Sequence, residues 1–127
     1  MAMYINENNG TTSVYFMGDL DKDNILPIKE HLLYKTLHPK IKTVEFHFEN
    51  VVMMDAPAMA VIVIVIKKLL IKKVTSKVIG LAKKYMDLAG MLKLPLIAEV
   101  EAKDQTPLLY RKINSKKKKI RKRECEL

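Results

Sequence analysis

With 127 residues, 49% of them hydrophobic, the chain is sized for one domain with a core of its own, and its lone cysteine, Cys125, excludes an internal disulfide and a cysteine-based metal cluster. The formal charge of +9 sits almost wholly at one end: residues 111–127 carry nine Lys/Arg against two Glu, whereas residues 1–110 carry 14 Lys/Arg against 12 Asp/Glu. The sequence thus divides into a nearly neutral domain, 1–110, and a basic tail, 111–127, and the polar stretch Met1 to Gly10 lacks the apolar run of a secretory leader, which points to a cytoplasmic protein.

Met3 to Asn6 and Ser13 to Met17 flank Glu7-Asn8-Asn9-Gly10, whose Asn-Gly step is a strong turn signal, and predict an antiparallel hairpin. Gly18-Asp19-Leu20-Asp21 closes the second strand. The polar residues Asp21 to Asn24 suit the start of a helix from Ile25 to about Leu37, with Ile25, Ile28, Leu32 and Leu33 on one face and Pro39 ending it. Thr43 to Phe48 alternates, placing Val44, Phe46 and Phe48 opposite Glu45 and His47, as a strand with one buried face does.

The stretch from Val51 to Lys73 is the one around which the rest is organised. Val51-Val52-Met53-Met54 reads as a strand end, Asp55 as an N-cap whose carboxylate accepts free backbone N–H groups, and Pro57 as a first-turn residue whose missing N–H costs nothing there. The β-branched run Ala60 to Ile66 favours a strand by local propensity. Its length argues for a helix starting near Ala56, as do Lys67-Lys68 and Lys72-Lys73 bracketing Leu69-Leu70-Ile71, which would set lysines on one side and apolar residues on the other. The eleven apolar residues from Ala56 to Ile66 fall short of the roughly 20 of a membrane span.

Further along, Lys77 to Ala82 predicts a buried strand, Tyr85 to Leu94 a short helix with Tyr85, Leu88, Ala89 and Leu92 at helical spacing, and Leu96 to Val100 a final strand. Pro107 opens a last helical segment from Leu108 into the tail. The order implies an α/β fold: a mainly parallel four- to five-stranded sheet with an N-terminal antiparallel hairpin and about four helices.

Candidate chemistry is sparse. His31, His38 and His47 lie on different elements without ligand spacing and read as surface or helix-end residues. Asp19, Asp21 and Asp23 have the spacing of a calcium loop, but Asn24 stands where its sixth-position Gly is required, so no metal is expected. With four glycines in the chain there is neither a phosphate-binding loop nor a nucleophile elbow, and neither cofactor nor enzymatic activity is expected. Thr75 and Ser76 read as loop residues, and of the methionines around the turn Met53 or Met54 suits the core, whereas Met59 suits an exposed helix start with an adaptable side chain.

The order of these pieces from Val14 to Val100 resembles the STAS family, the small α/β domain of anti-sigma factor antagonists, sulfate-transporter tails and some ABC-transporter accessory subunits. Gly18-Asp19-Leu20-Asp21 is similar to the family's Gly-Glu-Leu-Asp. Phe48 to Ala60 resembles its strand followed by Asp-Ser-Ser-Gly or Asp-Thr-Ala-Gly, and Leu81-Ala82 with Met86-Asp87-Leu88-Ala89-Gly90-Met91 its later strand and Leu-Thr-Gly-Leu helix. The resemblance implies a hydroxyl residue after the Asp that accepts phosphate from a partner kinase, where roughly −1.5 to −2 of added charge releases the complex. Here those positions are Ala56 and Pro57, neither phosphorylatable, and Ala58 replaces the usual Gly.

The expectation is therefore a non-catalytic regulatory module that docks on a protein partner, an anti-sigma factor-like kinase, through Asp55, Ala56, Pro57, Ala58 and Met59 and the central helix. The alternative is an accessory subunit bound to the ATPase of a membrane ABC transporter. The apolar central helix also suits a homodimer contact. Lys116, Lys117, Lys118, Lys119, Arg121, Lys122 and Arg123 would give the tail a weak contact with an anionic membrane face, while the lack of interleaved aromatics disfavours nucleic acid.

Overall fold

The alternation of strand-forming runs with helical segments folds as one five-stranded mixed sheet with helices between its strands. The computed structural model describes residues 2–37 and 39–103. Strands β1 (Ala2–Asn8), β2 (Thr11–Leu20), β3 (Thr43–Met54), β4 (Thr75–Leu81) and β5 (Glu99–Ala102) alternate with helices α1 (Ile25–Thr36), α2 (Ala56–Ile71) and α3 (Met86–Met91), and single 3-10 turns span Lys83–Tyr85 and Leu94–Leu96. The predicted helix from Leu108 and the basic tail lie outside the described residues, as does His38.

The strands lie side by side in sequence order. β1 runs antiparallel to β2, with Tyr4 opposite Tyr15, and β2 to β5 are mutually parallel. Asn9 (φ 50°) and Gly10 (φ 83°) supply the two left-handed residues of a primed hairpin turn, the geometry whose twist matches the flanking strands. Alternate residues of the central strands, Val14, Phe16, Val44, Phe46, Phe48 and Val78, are buried with Leu32, Ile62, Ile66 and Leu69 from the helices in one core. Phe16 packs on Phe46 and Phe48 with ring centroids 6.4 and 5.1 Å apart. The other sheet face carries Ser13, Tyr15, Glu45, His47, Lys77 and Ile79, all partly exposed.

The β-branched run forms helix rather than strand. Ile62, Val63, Val65 and Ile66 are buried together in α2, so burial of a nearly all-apolar helix outweighs the propensity of its residues. Several boundaries differ from the sequence reading. Leu70 (47% exposed) and Ile71 (77%) face solvent alongside the lysines, and only Leu69 of the three turns inward. Thr75 and Ser76 open β4 instead of forming a loop, with Ser76 buried. The predicted helix from Tyr85 to Leu94 is a 3-10 turn followed by a six-residue α3. The last strand begins at Glu99, not Leu96: Lys93 takes a left-handed φ of 62° and Pro95 seeds a 3-10 turn that leaves Leu96 exposed.

Candidate functional site

All four parallel strands end at the same edge of the sheet, and that edge presents the turn between β3 and α2. Asp55 has an extended backbone (φ −96°, ψ 171°), which aims its side chain at the free N–H groups of α2. One carboxylate oxygen, Oδ1, accepts the Ala58 N–H at 3.0 Å. The other, Oδ2, accepts the Lys22 N–H at 2.9 Å from the β2–α1 loop, and the Asp55 N–H donates to the Leu20 carbonyl at 3.2 Å. A single side chain therefore caps the helix and ties a second loop to it.

That second loop is itself braced. The Asp21 carboxylate accepts the N–H groups of Asp23 (3.0 Å) and Asn24 (3.2 Å), while Asn24 accepts the Asp21 N–H at 3.0 Å and donates to the Asp19 carbonyl at 2.9 Å. These are the local side-chain-to-backbone bonds that Asp and Asn make in turns, here made by Asp21 and Asn24. From the other side, the Tyr85 hydroxyl accepts the Met54 N–H at 2.9 Å. Lys22 and Tyr85 were not marked as part of this site by the sequence. The capping pattern of Asp21 and Asn24 was a signal for the first, and nothing local pointed to the second.

The five turn residues divide sharply by exposure. Ala56 and Pro57 are exposed and Asp55 is half-buried, whereas Ala58 (0%) and Met59 (1%) are inside the core. The expectation of Met59 at an exposed helix start is thus corrected: it lies one turn into α2, on the side that faces the sheet. Met54 is buried as expected, and Met53 (40%) and Val52 (70%), in the strand leading into the turn, are exposed beside it. The solvent-facing knuckle consists of Val52, Met53, Asp55, Ala56, Pro57 and the loop at Lys22, with no hydroxyl group at 55–59.

His47 is not a helix-end residue but a partly exposed one in β3. It lies on the sheet face that no described helix covers, stacked on Tyr15 at 4.3 Å, with its ring nitrogens 3.2 Å from Glu45 and 3.4 Å from Glu49. His31 is exposed on α1. Among the described residues no cluster of three or more His, Cys, Asp or Glu side chains is arranged to hold a metal, and no helix is long and apolar enough to cross a membrane.

Searches of family models and of curated proteins with the sequence give no match. Solved structures do match. A putative anti-sigma factor antagonist from Thermotoga maritima superimposes with a TM-score of 0.70 at 12% identity, over 87% of this chain and 92% of that one. The chain has the STAS fold. The Bacillus cell fate determinant SpoIIAA in its phosphorylated form gives a TM-score of 0.64 at 11% identity, covering 90% of this chain and 99% of that one. A murine Solute Carrier 26 family anion transporter in its inward-facing state matches with a TM-score of 0.64 at 15% identity, over 86% of this chain but 19% of the transporter. At these identities the likeness carries the architecture, and the side chains of the turn must be judged on their own geometry.

Proposed function

We propose that the chain is a non-catalytic binding module that docks on a protein partner through the knuckle at the start of α2, and that this contact is not switched by phosphate at the turn. The observation that carries this reading is the doubly bonded Asp55: its two oxygens lock the α2 start and the β2–α1 loop into one surface, with Ala56 and Pro57 outermost. A preformed surface of this kind lowers the ordering cost of association. Val52, Met53 and Pro57 give it apolar area, and Lys22 and Asp23 a polar rim. SpoIIAA, with the same architecture, exists in a phosphorylated form. Ala56 and Pro57 offer no oxygen to phosphorylate, so docking here would be governed by partner concentration or by competition alone.

A second reading, an accessory subunit clamped to the ATPase of a membrane transporter, uses the same knuckle. It draws support from the occurrence of this fold within an anion transporter. The two readings differ in the partner's identity.

The test is an affinity capture with the intact chain and with Ala56→Glu, followed by mass spectrometry. A carboxylate in the first turn of a helix is favourable, so the variant keeps its fold while adding charge to the knuckle. Loss of a specific partner from the variant supports docking at the turn, and the partner, a kinase-like regulator or a transport ATPase, selects the reading. Equal retention by both proteins overturns it.

A further inference from the structure

The end of the molecule opposite the knuckle has a different chemistry. There α1 and α2 both finish, and the Lys42 carbonyl, just before β3, accepts the Thr75 N–H at 3.0 Å. Lys35, Lys40, Lys42, Lys67, Lys68, Lys72 and Lys73 all point to solvent in this region. None of the seven is ion-paired with a described carboxylate. Tyr34 (79% exposed), Leu37 (37%), Leu70 (47%) and Ile71 (77%) stand among them.

The ends of α1 and α2 are joined through Leu37. Leu37, Pro39 and Lys72 line one hollow of about 250 Å³ with Ile41 and Val74, and Leu37 also borders a second, with Tyr34, Lys35, Lys40 and Glu7. Glu7 is the one carboxylate among the residues lining the two hollows.

Helix geometry explains only part of this. Lysines in the last turn of a helix are favoured by the partial negative charge of its free carbonyls, which accounts for Lys35 and Lys68. It gives no reason for Leu37, Leu70 and Ile71 to stand in water beside them. Aliphatic and tyrosine side chains ringed by uncompensated lysines are the composition of a surface that lies on anionic lipid, the apolar groups entering the headgroup–acyl boundary and the ammonium groups meeting phosphates. We propose that this end of the molecule is a docking surface for an anionic membrane face. Phosphates on nucleic acid would engage the lysines equally but would leave Leu37, Leu70 and Ile71 without a role, which is why lipid is the better fit.

The surface is separate from the knuckle. The sixteen residues of α2 hold the two roughly 24 Å apart. Lys103, the last described residue, lies at the knuckle end, its N–H bonded to the Leu81 carbonyl at 2.7 Å. A chain seated on lipid in this way leaves Asp55 to Pro57 pointing away from the bilayer.

The experiment is co-sedimentation of the full chain with neutral phosphatidylcholine vesicles and with vesicles in which about one lipid in three is phosphatidylglycerol. Binding should require the anionic lipid, weaken with salt, and fall by at least about 25-fold in Lys72→Glu/Lys73→Glu, at roughly fivefold for each lysine near the membrane. Ile71→Ser, at a position already 77% exposed, should keep the melting temperature and still lose affinity several-fold. A full chain with glutamine at Lys116, Lys117, Lys118 and Lys119 should retain the requirement for Ile71. The proposal is overturned if that tail variant loses all binding while the Lys72/Lys73 variant binds normally. It is also overturned if Ile71→Ser changes nothing while duplex DNA competes fully, or if Ile71→Ser dissolves a homodimer and neither form binds vesicles.

Discussion

Replacing Asp55 separates its two hydrogen bonds and measures how firmly the knuckle is built. Asp55→Ala removes the cap on Ala58, a loss of about 1 kcal/mol within a range of roughly 0.5–2. It also removes the acceptor for the Lys22 N–H, worth about 0.5 kcal/mol because that group is exposed and water takes over part of the bond. The expected total is about 1.5 kcal/mol, a fall in melting temperature of very roughly 8 °C for a domain of this size. Asp55→Asn keeps an oxygen for Ala58 but points an amide at Lys22 and removes the charge facing the helix start, so it should cost about half as much. Urea denaturation of the three proteins decides the matter. Equal costs for Asn and Ala would refute a two-sided role for the carboxylate, and an Ala cost below about 0.3 kcal/mol would refute the cap itself.

The remaining predictions concern the supports around it. Tyr85→Phe strands the part-buried Met54 N–H and should cost about 1 kcal/mol by urea denaturation, with faster amide exchange at Met54. Gly80 has a φ of +74°, and a Cβ there would sit 2.4 Å from the Glu49 Cγ and 3.2 Å from its backbone nitrogen, so Gly80→Ala should destabilise by about 1–3 kcal/mol. Adding Glu49→Ala should recover only the side-chain part of that loss in thermal melts. Ser76 buries an Oγ with no hydrogen-bond partner among the described residues, so Ser76→Ala should be neutral or slightly stabilising in the same melts.

What the sequence made legible was the signal that local chemistry writes down. Asn9-Gly10 announced the hairpin, Asp55 and Pro57 the start of α2, and the alternation in Thr43 to Phe48 the buried face of β3. The β-branched run from Ala60 to Ile66 was readable as helix only because its caps and length opposed its propensity. The misread positions depend on which way an element turns once packed. Met59 looked exposed because it follows the turn, yet it falls on the inner side of α2. Leu96 was assigned to a strand because Leu-Ile-Ala-Glu-Val is apolar, and the left-handed Lys93 that diverts the chain leaves no mark in a lysine. The ties from Asp55 to Lys22 and from Tyr85 to Met54, 33 and 31 residues apart, are set by topology. No window of local sequence contains them.

Hydrogen exchange of the chain alone and in complex with its captured partner tests docking at the knuckle most directly. Protection on binding should concentrate at Lys22 to Asn24 and at Asp55 to Ile62, with little change at Ser13 to Tyr15 or Glu45 to His47 on the sheet face opposite the core. Protection centred on that face, with the Asp55 segment unchanged, would contradict the account and move the partner's site to the other side of the sheet.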